Sequence, residues 1–274
     1  MKRVNYFDNA WSCLKLLKDN SSLYIPDLSL ILMTAFLSYL FLYFNDLTHI
    51  FTGEFDLFEQ VVRSILDSSS LLFKFIISLV IIGVFNLIFG LGTVTMRYSM
   101  VSMVIKKTKI NFKGVWDAGN EYIWAVLGLK ATLLVLYLIP AIVLFSLVLL
   151  NRSFLIPAII LVIIIFFFYR FILLFSYPIL FLKDIRNPIE VVSKTFNYFR
   201  TNKLHTILTG LFIILISTVI GLLLNGFLLI WGPISSGLMA VTLATILSVI
   251  FVIIKQIIDI TVSLWANLFI FKNY

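Results

Sequence analysis

From Phe154 to Leu182 the chain runs through one block of hydrocarbon whose sole charged residue is Arg170. Similar blocks recur five more times. About 20 apolar residues in an α-helix reach across the hydrocarbon core of a bilayer, so each block is long enough to span it. The 274 residues are 61% hydrophobic and only 12% charged, whereas soluble domains carry about 25% charged residues. Folded in water, such a chain would expose more apolar surface than soluble proteins tolerate. In lipid, every backbone N–H and C=O must be bonded within the protein, which leaves helical bundles and closed barrels. The apolar runs are continuous rather than alternating, which selects helices. The expected fold is all-α: one integral membrane domain over residues 1–274, a polytopic helical bundle.

Six transmembrane helices are predicted, at about 26–45, 71–95, 122–148, 155–182, 204–230 and 238–270. Pro26 opens the first, and the second has helical character as far as Ile105. Gly83, Gly90 and Gly92 in the second are read as points of close helix contact. Pro140 is read as a kink and Trp231-Gly232-Pro233 as a turn. Two or three interfacial amphipathic helices complete the pattern, at about 5–19, 50–67 and 187–203. In the first, Phe7, Trp11, Leu14 and Leu17 recur at helical spacing, opposite Lys15 and Lys18. In the second, Phe55, Phe58, Val62 and Ile65 oppose Asp56, Glu59, Arg63 and Asp67. In the third, Ile189, Val192, Phe196 and Phe199 form the stripe, opposite Lys194, Asn197 and Arg200. There Asn187 reads as the N-cap, Pro188 as the first helical residue and Glu190 as the capping-box acid.

Orientation follows from the short loops. Fifteen Lys and Arg fall on one side of the six spans and three, Arg63, Lys74 and Arg152, on the other. The positive-inside rule then places both termini in the cytoplasm of a multi-pass cell-membrane protein. Lys2 and Arg3 precede no apolar run before residue 25, so no cleaved leader is expected. The tryptophans, Trp11, Trp116, Trp124, Trp231 and Trp265, fall near span boundaries and read as interfacial anchors.

One stretch carries a pattern beyond composition: YRFILLFSYPILFLKDIRNPIEVVSKTFNYFRTN, from Tyr169. It sets Arg170 in a span, Pro178 near its inner end, then Asp184, Pro188, Glu190 and Ser193. Upstream stands KINFKGVWDAGNEYIWAVLGL and downstream SLWANLFIF. Together these resemble the membrane domain of glycerophosphoryl diester phosphodiesterases and related six-span families, over about residues 10–270. The resemblance implies six helices with cytosolic amphipathic segments. In those fusions the phosphodiesterase activity sits in a separate soluble domain, which this sequence lacks, so no catalysis is implied.

Charges inside spans are the remaining clue. Arg170 lies near the middle of the fourth span, where a lone Arg costs at least about 2.5–3.5 kcal/mol. Lys255 and Asp259 lie four apart in the sixth span and can share one face. Arg170, Lys255 and Asp259 form the candidate charge network, with Arg170 expected to pair with Asp259. Such a pair either fixes helix register or marks a path for an ion, proton or anionic headgroup. Lys130, nearer an end of its span, is expected to snorkel. Lys106, Lys107, Lys109 and Lys113 either serve topology alone or contact anionic lipid headgroups.

No phosphate-binding glycine loop, HExxH or nucleophile elbow occurs, and His49 and His205 are not spaced as a metal site. Neither cofactor nor metal is expected. Cys13, a solitary cysteine, excludes an internal disulfide and a cysteine metal cluster and leaves acylation as its one candidate modification. Nucleic acid is excluded as a partner because the basic residues abut the spans. The expected function is a non-catalytic membrane scaffold or accessory subunit, with membrane lipids, a protein or a second copy as partner. The alternative is a transporter or channel component built on Arg170, Lys255 and Asp259.

Overall fold

A computed structural model describes residues 5–49, 55–238 and 241–274, with side chains except at 55, 150 and 228–248. Ten helices are described in order: α1 (Tyr6–Asp19), α2 (Ile25–Phe44), α3 (Phe55–Asp67), α4 (Ser69–Ile105), α5 (Phe112–Leu150), α6 (Leu155–Ile172), α7 (Ser176–Leu182), α8 (Pro188–Thr201), α9 (Lys203–Leu238) and α10 (Val241–Asn273). No strand occurs among the described residues. Six helical segments are long and apolar enough to cross a membrane: α2, α4, α5, α6 with α7, α9 and α10. The chain is an all-α, multi-pass membrane protein.

α4 is the hub, packing against α2, α3, α5, α7 and α10. Its buried residues run only from Leu91 to Val104. Burial in α6 and α7 is concentrated from Ile172 onward, and in α10 from Ile260. The core therefore sits at one end of the bundle, around Phe175, Leu180, Leu264, Phe269 and Met100. Toward the opposite end, residues such as Val80, Ile139 and Ile156 face outward, as lipid-facing side chains must.

The same end gathers the basic segments. α1 packs on α10, where buried Trp265 donates its indole N–H to the Ala10 carbonyl at 3.1 Å. Lys272 bonds the Ser12 hydroxyl, and Asn9 Nδ2 donates to Asn273 Oδ1 at 2.9 Å. His205, at the start of α9, takes the Tyr6 hydroxyl at Nδ1 (2.9 Å) and meets the Asn273 carbonyl at Nε2 (2.7 Å). A main-chain carbonyl can only accept, so Nε2 carries the proton and Nδ1 accepts from Tyr6. The first and last helices are thus tied side by side.

Several boundaries differ from the sequence reading. α5 begins ten residues before the predicted 122, because Asn111 caps it through the Lys113 amide at 3.3 Å. Pro140 lies inside α5 without ending it. The fourth span is not one helix. Leu173–Phe175 tightens into a 3₁₀ turn, Pro178 offers no N–H to the preceding turn, and Ser176 Oγ adds a bond to the Leu173 carbonyl at 2.8 Å. α9 runs on through Trp231-Gly232-Pro233 to Leu238, so no turn stands there; continuing the helix keeps backbone groups bonded where water is absent. Residues 50–54 of the predicted second amphipathic helix lie outside the described residues.

Helix contacts use other glycines than expected. Gly83, Gly90 and Gly92 have open space where a Cβ would stand. A Cβ on Gly128 of α5 would lie 2.6 Å from Pro188 Cγ of α8, and one on Gly210 of α9 would lie 2.6 Å from the Phe171 ring. These two sites need glycine for close approach. α8 is also rolled relative to the predicted stripe: Val191, Val192 and Thr195 are buried while Ile189 is 73% exposed. The Pro188 contact with α5 sets that roll.

Candidate functional site

Arg170 stands in the last turn of α6, just before the 3₁₀ break. The negative end of a helix dipole offsets part of the cost of a cation there. Asp259 stands on α10, 14 residues before Asn273, about 21 Å along the helix at 1.5 Å per residue. The two side chains line one crevice of about 360 Å³ between α6, α9 and α10. Ser217 of α9 and Ser263 and Asn267 of α10 add polar walls, and Phe171 and Ile213 add apolar ones. Ile270, three residues before Asn273, also lines it, so along α10 the crevice runs from about 4.5 Å to about 21 Å from that helix end.

The expected Arg170–Asp259 ion pair is not formed. No salt bridge joins them among the described residues, and both side chains are exposed to the crevice. α9 packs against both α6 and α10, and α10 also touches the Leu173–Phe175 turn that follows α6. Lys255 does not line the crevice; it donates to Asn225 Oδ1 at 3.3 Å, linking α10 to α9. The candidate network is therefore a two-residue crevice with a separate neighbouring lysine.

A buried ion pair goes unread in the sequence. Arg97 of α4 bonds Asp27 in the first turn of α2, with side chains only 15% and 9% exposed. Asp27 Oδ2 and Arg97 Nε have no other partner. Arg97 counted as a loop cation when the second span was ended at 95, but α4 continues to Ile105 and carries it inside. The signal was present: an acid follows Pro26 in one apolar run and a cation sits in another.

The four lysines of the basic loop separate. Lys106 Nζ donates to the Phe181 carbonyl at 3.3 Å. Lys107 has φ 56°, at the end of α4. Lys107 and Lys109 wall a polar cavity against Asn20, Ser21 and Ser22, while Lys113 stands exposed in the first turn of α5. At the motif helix, Asn187 Oδ1 accepts from the Ile189 and Glu190 amides at 3.0 and 3.4 Å. Glu190 does not close a capping box; it pairs with Lys194 at 2.8 Å, one turn on.

Before α8, Asp184 accepts from Tyr122 and Arg186, and Arg186 also binds Glu121 and lies over the Tyr122 ring. The Tyr122 hydroxyl, and then Arg186, hold the Asp184 carboxyl below its ordinary range. Cys13 is buried, and burial pushes its thiol up to about 11, which lowers its thiolate fraction and hence its nucleophilicity. Trp265, also buried, staples α1 rather than anchoring at the interface, whereas Trp11, Trp116 and Trp124 are exposed. Trp231 lies outside the described side chains. Among the described residues, no group of His, Cys, Asp and Glu could hold a metal ion. No family model, curated protein or solved structure matches this chain.

Proposed function

We propose that this protein is a transporter or channel component that takes a small charged or zwitterionic solute into the crevice between α6, α9 and α10. The observation that carries the reading is that Arg170 and Asp259 share that crevice without neutralising each other. A structural salt bridge would close; an open cation and an open carboxylate complement the two ends of a zwitterion. The volume of about 360 Å³ lies in the range of small-molecule sites. The broken helix beside Arg170 supports the same reading, because carriers build midplane sites on discontinuous helices. The basic end, with both termini, faces the cytoplasm in this account. No covalent step is assigned to the chain, and the motif resemblance to phosphodiesterase membrane domains is proposed for the membrane fold alone.

Uptake into proteoliposomes of a radiolabelled amino-acid mixture, with inorganic phosphate as a second probe, tests this. Arg170→Gln and Asp259→Asn should each abolish uptake seen in the parent while leaving the unfolding midpoint in detergent nearly unchanged. Loss of midpoint in both variants, with no uptake by the parent, favours a purely structural role.

One observation favours the scaffold reading as a second possibility. On α1, Phe7 and Trp11 are 76% and 74% exposed, on the flank beside the buried Ala10, Cys13 and Leu17. A helix stapled to the bundle on one side and aromatic along its flank suits the headgroup region, where it would organise lipid or a partner.

A further inference from the structure

Two cavities lie along α4, away from the Arg170 crevice. The first, about 570 Å³, is polar and sits at the basic end between the α1–α2 connection and the loop after α4. The second, about 430 Å³, is apolar and lies between α2, α4 and α5. Val104 lines the polar one, and Met100, Met96, Gly92 and Ile88 line the apolar one at steps of four. Steps of four advance about 40° each around a helix, so this lining winds gradually about α4 from Ile88 to Val104. From Met100 to Ile88 the lining is about 18 Å long, close to the ~15 Å of one leaflet's hydrocarbon. α2 contributes Pro26 and Ser29, and α5 contributes Trp116, Gly119 and Ile123.

Apart from exposed Asn120, the polar side chains of the apolar slot bond backbone carbonyls. Thr93 and Thr95 hydroxyls bond α4 carbonyls, and Ser29 Oγ bonds the Pro26 carbonyl at 2.8 Å. Their carbon faces the slot. The polar cavity is lined instead by Lys107, Lys109, Asn20, Ser21, Ser22 and Asp19. The first two are exposed cations with no salt bridge among the described residues.

Lys107 is also held in an uncommon conformation. Its amide bonds Val104 O (3.1 Å) and the Thr108 amide bonds Met103 O (2.9 Å), which ends α4 in a Schellman motif. The left-handed residue of that motif is usually glycine, and here it is Lys107 at φ 56°. A lysine at that position sacrifices backbone ease and aims its cation at the mouth of the cavity.

We propose that this composite slot binds one anionic phospholipid whose headgroup bears hydroxyls. Lys107 and Lys109 take the phosphate, and Ser21, Ser22 and Asp19 take headgroup hydroxyls. One acyl chain lies along α4 from Met100 to Ile88. The headgroup contacts are charge-complementary, and the slot below them matches the length and polarity of a leaflet. Of the four lysines, Lys106 and Lys113 take no part.

The test measures the unfolding midpoint and lipid retention of the purified protein in neutral detergent. Phosphatidylglycerol and phosphatidylcholine with identical chains are titrated, with glycerol 3-phosphate as a headgroup-only probe. Phosphatidylglycerol should be retained and raise the midpoint, at least tenfold more tightly than phosphatidylcholine, and glycerol 3-phosphate should not reproduce the shift. Lys107→Gly relieves the left-handed backbone, so it should fold with an equal or higher midpoint alone yet lose most of the phosphatidylglycerol effect, as should Lys109→Gln. Gly92→Leu fills the slot in open space and should release the lipid while both lysines remain. Equal binding of the two lipids, full reproduction by glycerol 3-phosphate, or undiminished retention in Lys107→Gly and Gly92→Leu would overturn the proposal.

Discussion

Trp265 of α10 and Ala10 of α1 are joined by a hydrogen bond of 3.1 Å, buried, across 255 residues of sequence. The Trp265 ring also stacks on Phe269 at 5.4 Å between centroids. This contact turns an amphipathic segment into a fixed part of the bundle. It also seals Cys13, which sits on the same buried side of α1.

Trp265→Ala should therefore cost about 3–5 kcal/mol, the usual range for a buried aromatic truncation, and loosen α1. Cys13 reports the loosening. In the parent, burial and a thiol pushed up to about 11 make maleimide labelling at pH 8 very slow. In Trp265→Ala, labelling should accelerate by at least tenfold. The sign of the pH effect follows: the raised folded pKa stabilises the fold below the ordinary thiol range, and this is lost as pH climbs toward 11. Equal labelling rates in parent and variant would show that α1 is not held by this contact.

Gly128→Ala places a methyl 2.6 Å from the Pro188 ring, which is stiff and sits at the first helical position of α8. Overpacking of this kind costs about 1–3 kcal/mol. Gly83→Ala, made in open space, should be neutral or raise stability by up to about 1 kcal/mol. Thermal midpoints in one detergent compare them directly. The account fails here if Gly83→Ala is the more damaging.

Asp27→Leu strands the Arg97 guanidinium in the bundle and should cost about 3–5 kcal/mol. The double variant Asp27→Leu, Arg97→Leu removes both charges and should recover most of that loss. A double variant as unstable as the single one would mean that the pair is not coupled.

Asn187→Ala removes a cap that accepts from two amides and should cost about 1 kcal/mol. Glu190→Ala removes only a surface pair with Lys194, worth at most about 0.5 kcal/mol. Equal losses in urea or thermal unfolding would restore a capping-box role for Glu190.

Much of the architecture was legible because lipid imposes it. A solvent without hydrogen bonds forces long helices, so uninterrupted apolar runs locate α2, α4, α5 and α10 to within a few residues, apart from the early start of α5 and the late end of α4. The Asn187–Pro188 start of α8 was legible because capping is local chemistry. Contacts set by third dimension were not. Gly128 and Gly210 look no different from Gly83 in sequence, since each matters only through the ring opposite it. Arg97 reads as a loop cation until α4 is seen to continue past it. Arg170 and Asp259 stand out in the sequence by their cost in lipid, but that they do not pair is set by how α6, α9 and α10 pack.

The central claim is that the crevice holding Arg170 and Asp259 is hydrated and opens at the basic end. Ser263 lines it and is exposed, ten residues before Asn273, about 15 Å in. A single cysteine at that position, Ser263→Cys in a Cys13→Ser background, can be challenged with a membrane-impermeant cationic thiosulfonate in oriented vesicles. The account predicts rapid labelling from the side bearing the two termini and none from the other. No labelling from either side, or labelling only from the far side, would contradict it.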